Sequence, residues 1–507
     1  MAMNRSAMFV SLLTLFCRIV GFARDMLIAK YLGAGAMADS FFTSFKLSNF
    51  FRKIFGEGAL FSGFVPVFSR VRHQKGKDES LRFSSNVFTI ILIILFCVTV
   101  ICEIFMDKII YALAPGFEAT KLQHTIYITR LTFPYFFFIT ACSVLWGVLN
   151  SLERFFFYAF VPSVLSIVMI FFVLFFSHAF NDLTVCLSVS VLVGGILQFV
   201  TSYFACVKNG YLLKPAKPRL DNDTKSVFSK MFNTTLASSF SQVNTIVDGL
   251  LASFIASGVS YLYYADRIFY FPLSIIGITL GIVSLPAMSN AVVNGNRILS
   301  KELQTNAFKL LLLYGLPASL AMLISAKAIT ITVFQYGGFT TRDTHNVSII
   351  IAIFACGLFF ALLNKVLSVI FFANSDTKTP MIFSLVGIFC NVLLSVILVK
   401  KFGVFGIAFA TSSSYLINCI LLFFALSKRG YLLISSDLIG FTIKTIASSA
   451  LICILFLLLN KVMFAFSDFG LLARLAILVS FATSSILVYF ASLYAMGINA
   501  IKITFAK

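Results

Sequence analysis

Charge is what this chain has least of. Only 11% of its 507 residues are Asp, Glu, Lys or Arg, while 60% are hydrophobic and the mean hydropathy is +0.99. A soluble domain carries about 25% charged residues, so a water-exposed globular fold is excluded and a polytopic membrane protein is expected. Acids are the scarcer sign, 19 against 39 bases. The resulting charge of +20 does not point to nucleic acid, because the bases lie in short loops between apolar runs, in the positive-inside pattern. The ten cysteines form no CxxC and sit inside apolar stretches. They read as small buried hydrophobes, not as a disulfide framework or a metal site. The four histidines, at loops or span ends, make no ligand pattern. A P-loop, a GxSxG elbow and a pair of intramembrane carboxylates are all missing, so ATP hydrolysis and glycosyl transfer have no residues to carry them and the chain is not read as an enzyme. The apolar N-terminus lacks a small-residue cleavage site and reads as a retained first helix.

What is present is a series of apolar runs of membrane-spanning length. They fall near 7–31, 36–56, 84–106, 124–149, 157–179, 184–207, 228–256, 262–290, 304–326, 345–373, 379–400, 404–427, 439–461 and 470–496, which predicts an all-α protein of about 14 transmembrane helices. Bases after spans 2, 6, 8 and 12 put those loops, and both termini, in the cytoplasm; Lys400 and Lys401 are a contrary pair. The loop Lys208–Lys230, with Pro215 and Pro218, divides the chain into related halves. Val65-Pro66-Val67-Phe68-Ser69 recurs as Leu285-Pro286-Ala287-Met288-Ser289, and Pro162 matches Pro380. The predicted organisation is a first lobe at 1–210, a linker at 211–227, a second lobe at 228–430, and two further spans with a tail at 431–507. Repeats of this kind are a transporter signature, with the substrate path at their interface. The 61 phenylalanines are expected mainly on lipid-facing surface.

Against this apolar background the stretch Thr14–Gly58 stands out. It carries Arg18, Arg24, Lys30, Lys46, Arg52 and Lys53 together with Asp25, Asp39 and Glu57. Each charge at a bilayer centre costs roughly 2.5–3.5 kcal/mol on insertion scales, so such residues mark a polar interior that handles something charged. Arg18 and Asp25, two turns apart, share a helix face; Asp39, Lys46, Asn49 and Arg52 form a polar stripe. The basic excess suits a phosphate or pyrophosphate, for which arginine offers a planar two-donor fork. Snorkelling lysines and a structural ion pair are the bland alternative, and the better one for Lys30 and Lys53. In the second half Tyr263, Arg267 and Tyr270 share a face, and Arg267 completes a cluster with Arg18, Arg24 and Arg52 if the halves face each other. An Asp266–Arg267 interfacial anchor is the competing account. Ser241, Asn244, Thr245 and Asp248 form another stripe, suited to a small hard cation, a proton relay or interhelix hydrogen bonds; Asp376 could join it.

The runs Cys17-Arg18-Ile19-Val20-Gly21-Phe22-Ala23-Arg24-Asp25, Asp39-Ser40-Phe41-Phe42, Phe45–Ala59, Tyr263-Tyr264-Ala265-Asp266-Arg267, Phe334-Gln335-Tyr336-Gly337 and Asp376-Thr377-Lys378-Thr379-Pro380 resemble the MurJ (MviN) family of bacterial lipid II flippases. Cys17 and Ser48 depart from the family pattern without removing a charge. The resemblance implies a fold of the MOP superfamily: two pseudo-symmetric six-helix lobes in a V around a cationic cavity, and two C-terminal helices lining a groove for the lipid tail. It implies export of the undecaprenyl-pyrophosphate-linked disaccharide-pentapeptide from the inner to the outer leaflet of the bacterial cytoplasmic membrane, by alternating access, for cell-wall synthesis. By that likeness Arg18, Arg24, Arg52 and Arg267 bind the pyrophosphate headgroup. Asp25, Asp39, Lys46, Asn49 and Glu57 serve as ion pairs or gates. No cofactor is expected beyond a sodium ion, for which Asp248 and Asp376 are the candidates. The expected partners are lipid II, membrane lipid and the cell-wall synthesis machinery, and the expected state is a monomer. The alternatives are a related exporter of another polyprenyl-linked glycan or of cationic drugs, and a membrane glycosyltransferase. A drug exporter wants acids where this first half is basic, and a transferase wants a catalytic acid in a large external loop.

Overall fold

The computed structural model describes residues 2–435, 437–465, 469–500 and 503, apart from some side chains within the helices. Among these residues every regular element is a helix. Among the described residues ten helical segments are long and apolar enough to cross a membrane; the helices holding predicted spans 1, 2, 7 and 8 are only partly covered by that count.

Two compact units divide the chain at Ser260/Tyr261. The first contains α1 (Ala2–Leu32) and α2 (Ala36–Phe51), and α2 passes through a π-helical segment, Arg52–Leu60, into α3 (Phe61–Ile104). The helix continues through 59–69. α3 is two helical halves joined at Gly76, where φ of +83° needs a residue without a Cβ. Then come α4 (Met106–Leu113), α5 (Ala119–Thr132), α6 (Tyr135–Ser151), α7 (Phe155–Phe176), α8 (Leu183–Lys208), α9 (Asn222–Ala252) and the first turn of α10 (Gly258–Val293). Asp182 and Asp221 cap α8 and α9 by accepting from the amides of Thr184 and Thr224. α1 packs on α7, α7 and α6 on α8, and α9 on α3 and the π segment. An aromatic core holds these together: Phe51 meets Phe133 and Phe136 edge-on or tilted, and Phe64 stacks on Phe68 and Phe83. Phenylalanine therefore divides between two jobs. Phe96, Phe175 and Phe204 face outward as expected, but Phe41, Phe42, Phe64, Phe68 and Phe133 are fully buried.

The second unit takes the rest of α10 and then α11 (Arg297–Leu310), a π segment Leu311–Gly315, α12 (Leu316–Ile324), α13 (Ala326–Val333), α14 (Thr341–Ala373), α15 (Lys378–Phe402), α16 (Val404–Lys428), α17 (Asp437–Ala465) and α18 (Leu471–Ala495). α14 opens on a capping box between Thr340 and Asp343. α16 packs on both α14 and α15. The last two helices are held by this unit: α17 lies on α12, α18 on α13, and the Tyr489 hydroxyl donates to the carbonyl of Leu313 in the π segment at 2.9 Å. Arg474, buried near the start of α18, donates to the carbonyls of Phe469, Ile331 and Gln335 and lies over the Tyr336 ring. Backbone dipoles and a π face supply negative potential to its cation.

Candidate functional site

In α1 the guanidinium of Arg24 turns back on its neighbour. Nε and Nη2 both donate to Asp25 Oδ1, at 3.0 and 2.8 Å, and Nη1 donates to Ser166 Oγ on α7 at 3.3 Å. The cation also lies 5.6 Å from the centroid of the Phe45 ring on α2. Arg24 is 7% exposed and Asp25 2%, so the pair is desolvated and each member depends on the other. Helical spacing had put Arg18 on the face of Asp25. The observed ion pair joins Asp25 to Arg24, since a long arginine side chain can cross the roughly 100° between adjacent positions. Arg18 is half-buried.

On α2, Asn49 relays between backbone and charge. Its Nδ2 donates to the carbonyl of Phe45 at 2.8 Å and its Oδ1 accepts from Arg52 Nε at 3.1 Å. Arg52 opens the π segment, a wide turn of the kind that recurs at functional sites. Arg52 and Lys46 are half-buried, and Lys53 is exposed. The side chain of Glu57 lies outside the described residues.

Asp39 sits at the other end of α2 and is fully buried. Its Oδ2 is 2.7 Å from Nζ of Lys121 on α5, and its Oδ1 accepts from the amide of Ser260 at 2.8 Å. That amide is one of the first of α10, an N–H without an intrahelical acceptor, where a carboxylate also meets the positive end of the helix dipole. Asp39 thus ties α2, α5 and the start of α10 together. Beside it the Gly116 amide donates to Ser253 Oγ at 3.0 Å. A Cβ on Gly116 would come within 2.5 Å of the Phe254 backbone, so only glycine permits this approach. A cavity of about 680 Å³ opens here, lined by Ser40, Lys121, His124 and Ser257 among others. Lys121 lies between the predicted spans 84–106 and 124–149 and was not singled out from the sequence.

In the second unit Arg267 Nη2 donates to the hydroxyl of Tyr263 at 2.7 Å, one helical turn away, with its guanidinium over the same ring. Tyr261 donates to Asp343 Oδ1 at 2.8 Å, fixing α10 to the cap of α14. Asp266, next to Arg267, is half-buried. Lys365, on α14, was not singled out from the sequence. Its stem lies against Gly277 of α10, where an added Cβ would approach its Cδ, Cε and Nζ at 2.7–2.9 Å. Among the described residues no acid pairs with it. A lone lysine inside an apolar run was the signal.

Of the two sodium candidates, Asp376 is already engaged. Asp376 Oδ1 accepts from the Thr379 amide and Oδ2 from its hydroxyl, and Arg429 pairs with the same carboxylate. Both its oxygens are engaged. Asp248 and Asn244 remain on one face of α9, with Asn244 Oδ1 buried and lacking a hydrogen-bond donor; the Ser241 side chain lies outside the described residues. Among the described residues no three His, Cys, Asp or Glu side chains gather to hold a metal ion.

The family model for the lipid II flippase MurJ matches residues 28–478. A probable lipid II flippase MurJ of Rickettsia prowazekii is 34% identical over 503 residues, covering 98% of each chain. That of Vibrio cholerae is 29% identical over 509 residues, covering 98% of this chain and 96% of its own. Among solved structures, a lipid II flippase MurJ in an inward closed conformation superposes with a TM-score of 0.78 at 25% identity, covering 96% of this chain and 98% of its own. An inward-facing multidrug resistance MATE transporter of the MOP superfamily shares the fold, with a TM-score of 0.69 at 14% identity over 82% of this chain and 97% of its own. With a family model spanning most of its length and a relative matched from end to end, this chain belongs to the MurJ family of lipid II flippases.

Proposed function

We propose that this chain carries lipid II from the inner to the outer leaflet of the cytoplasmic membrane, as a transporter and not an enzyme. The observation that carries the reading, beyond family membership, is the buried Arg24–Asp25 pair on a helix otherwise suited to lipid. A guanidinium held by Asp25 and Ser166 is already desolvated and oriented, so a pyrophosphate meets a prepared donor set at little ordering cost. Arg18 and Arg52, on the same unit, add two further cations for the headgroup. Asp25 serves as the counterion that keeps Arg24 satisfied while no substrate is present. Asp39 is the latch: released from Lys121 and Ser260, it frees the start of α10 from α2 and α5. A carboxylate with two alternative sets of partners is what a two-state element requires. The apolar tail stays in lipid along α17 and α18. Positive-inside charge places both termini and the 209–221 linker in the cytoplasm.

The test is in cells that depend on this chain. Arg24→Ala and Arg52→Ala proteins should insert at normal levels while lipid II stays on the inner face, seen as loss of its accessibility to an external lipid II-binding probe. Normal outward movement in either variant would sink the pyrophosphate reading. For orientation, cysteines placed at Lys217 and Lys461 in a chain otherwise freed of cysteine should label from opposite sides; labelling from one side would overturn it.

A further inference from the structure

The 209–221 linker is not a slack tether. It runs along the second half of α3, held to it by four hydrogen bonds and to α8 by a fifth. The Asn86 side-chain amide pairs with both backbone groups of Arg219, its Nδ2 donating to the Arg219 carbonyl at 2.7 Å and its Oδ1 accepting from the Arg219 amide at 2.8 Å. Thr89 Oγ1 accepts from the Ala216 amide at 3.0 Å. The buried Tyr211 hydroxyl meets Ser80 Oγ at 3.1 Å, and Tyr203 donates to the Leu213 carbonyl. Ordering entropy has thus already been spent on this strap, and its side chains start from fixed positions.

Between the strap and α3 lies a cavity of about 800 Å³. Five bases and three acids line it, but the acids are committed. Asp223 is shared by Lys75 at 2.8 Å and Arg70 at 2.6 Å, Glu79 pairs with Arg82, and Asp221 caps α9. Lys214, Lys217 and Arg219 remain, and among the described residues no carboxylate comes within 4 Å of them. The surplus is therefore local and positive. Its height in the fold identifies the source of the counter-charge. Asn86 and Thr89 stand where the apolar run of α3 begins, which puts the strap at the edge of the hydrocarbon. Leu220, the strap residue after Arg219, is 64% exposed, an apolar side chain with no protein to cover it at that level.

We propose that this cavity binds the phosphate of an anionic lipid headgroup from the leaflet it faces, through Lys214, Lys217 and Arg219, as a site apart from the arginines that take the transported headgroup. The leaflet follows from the orientation given above; the binding itself does not depend on it. Phosphate chemistry is common to a lipid and to a free anion, but the exposed Leu220 beside the cations selects the lipid. A bound headgroup bridges the strap and α3, so it stiffens the attachment of α9 to the first unit.

The experiment uses the whole purified chain in neutral detergent with phosphatidylglycerol or phosphatidylcholine added, and retained lipid is counted by native mass spectrometry. Wild type should retain phosphatidylglycerol preferentially. The triple variant K214Q/K217Q/R219Q, which leaves the Asn86–Arg219 backbone pairing intact, should lose that preference by roughly a hundredfold, about fivefold for each cation near a charged surface. A control triple, K208Q/K225Q/K230Q, removes as much charge outside the cavity and should keep the preference. Equal loss in both triples would mean diffuse attraction and would overturn the site, as would retention in the first. Displacement of the lipid by millimolar inorganic phosphate would show a free anion as the true occupant and would also overturn it. Melting curves of both triples guard against misfolding, and since no transport is measured, failure here leaves the flippase reading standing.

Discussion

Lys121 Nζ lies 2.7 Å from Asp39 Oδ2, and Asp39 is shut away from solvent while Lys121 is nearly so. A pair this buried is weak evidence of net stability, because desolvating both charges offsets much of their attraction. Breaking it is another matter. Lys121→Met leaves a carboxylate buried with only the Ser260 amide as partner, and should destabilise the first unit by about 3–5 kcal/mol. The double variant K121M/D39L removes both charges and should recover most of that loss. Thermal melting of the three proteins decides it: a Lys121→Met protein as stable as wild type would mean that Asp39 finds another cation.

Gly116 should be intolerant for a steric reason. Its ideal Cβ falls 2.5 and 2.6 Å from backbone atoms of Phe254, which cannot swing aside as a side-chain tip could. Gly116→Ala should therefore push the α9–α10 connection away, break the Ser253 hydrogen bond, and cost about 1–3 kcal/mol as overpacking does. Gly249→Ala, with nothing within 4 Å, is the matched control and should be neutral or mildly stabilising. Hydrogen exchange at residues 253–257 reads the displacement directly.

Outside the membrane the ion pairs of Asp223 predict a pH window. A hydrogen bond from Lys75, with Arg70 nearby, holds the Asp223 carboxyl below its usual 3.8, and the same bond raises the Lys75 ammonium above 10.5. A lowered carboxyl contributes stability that is present above its unfolded value and is lost as pH falls through the folded one; a raised ammonium contributes below its unfolded value and loses that above the folded one. Attachment of α9 to the tip of α3 should thus be flat between about pH 5 and 9 and weaken only outside that range. Distance measurements between spin labels at His73 and Lys225 should follow this profile, and Asp223→Asn should remove its acid limb. A midpoint near pH 6.5 would assign the attachment to another group.

The helices were legible in the sequence because apolar runs of membrane length need no partner to be recognised. The headgroup arginines were legible for the opposite reason, as charges where the run should be unbroken. Partners were the part that stayed hidden. Asp25 pairs with its chain neighbour Arg24, because side-chain reach can cross the angle that backbone periodicity sets between adjacent positions. Lys121 read as a loop charge, since nothing local indicates that a chain segment over eighty residues earlier supplies its acid. The linker read as a spacer from its prolines and lysines, yet Asn86 holds it by a backbone pairing that leaves no compositional trace. The two π segments were invisible, because one extra residue in a turn does not disturb a hydropathy pattern.

Gly277 and Lys365 allow steric and electrostatic roles to be separated. The lysine stem rests on the bare face of α10, and a methyl at Gly277 would overlap its Cδ, Cε and Nζ. Those atoms are the far end of a flexible chain, so the clash is relieved by swinging the ammonium away rather than by moving backbone. Gly277→Ala should therefore leave the melting temperature within about 2 °C of wild type, the range of a change under roughly 0.5 kcal/mol in a chain this size. If Lys365 serves the anionic headgroup alongside Arg267, the displaced charge should still slow outward movement of lipid II, and Lys365→Met should slow it at least as much. Transport at the wild-type rate in both variants would make Lys365 a snorkelling surface lysine. A large drop in stability for Gly277→Ala would instead mean that the stem is held in place by packing the side chain cannot leave.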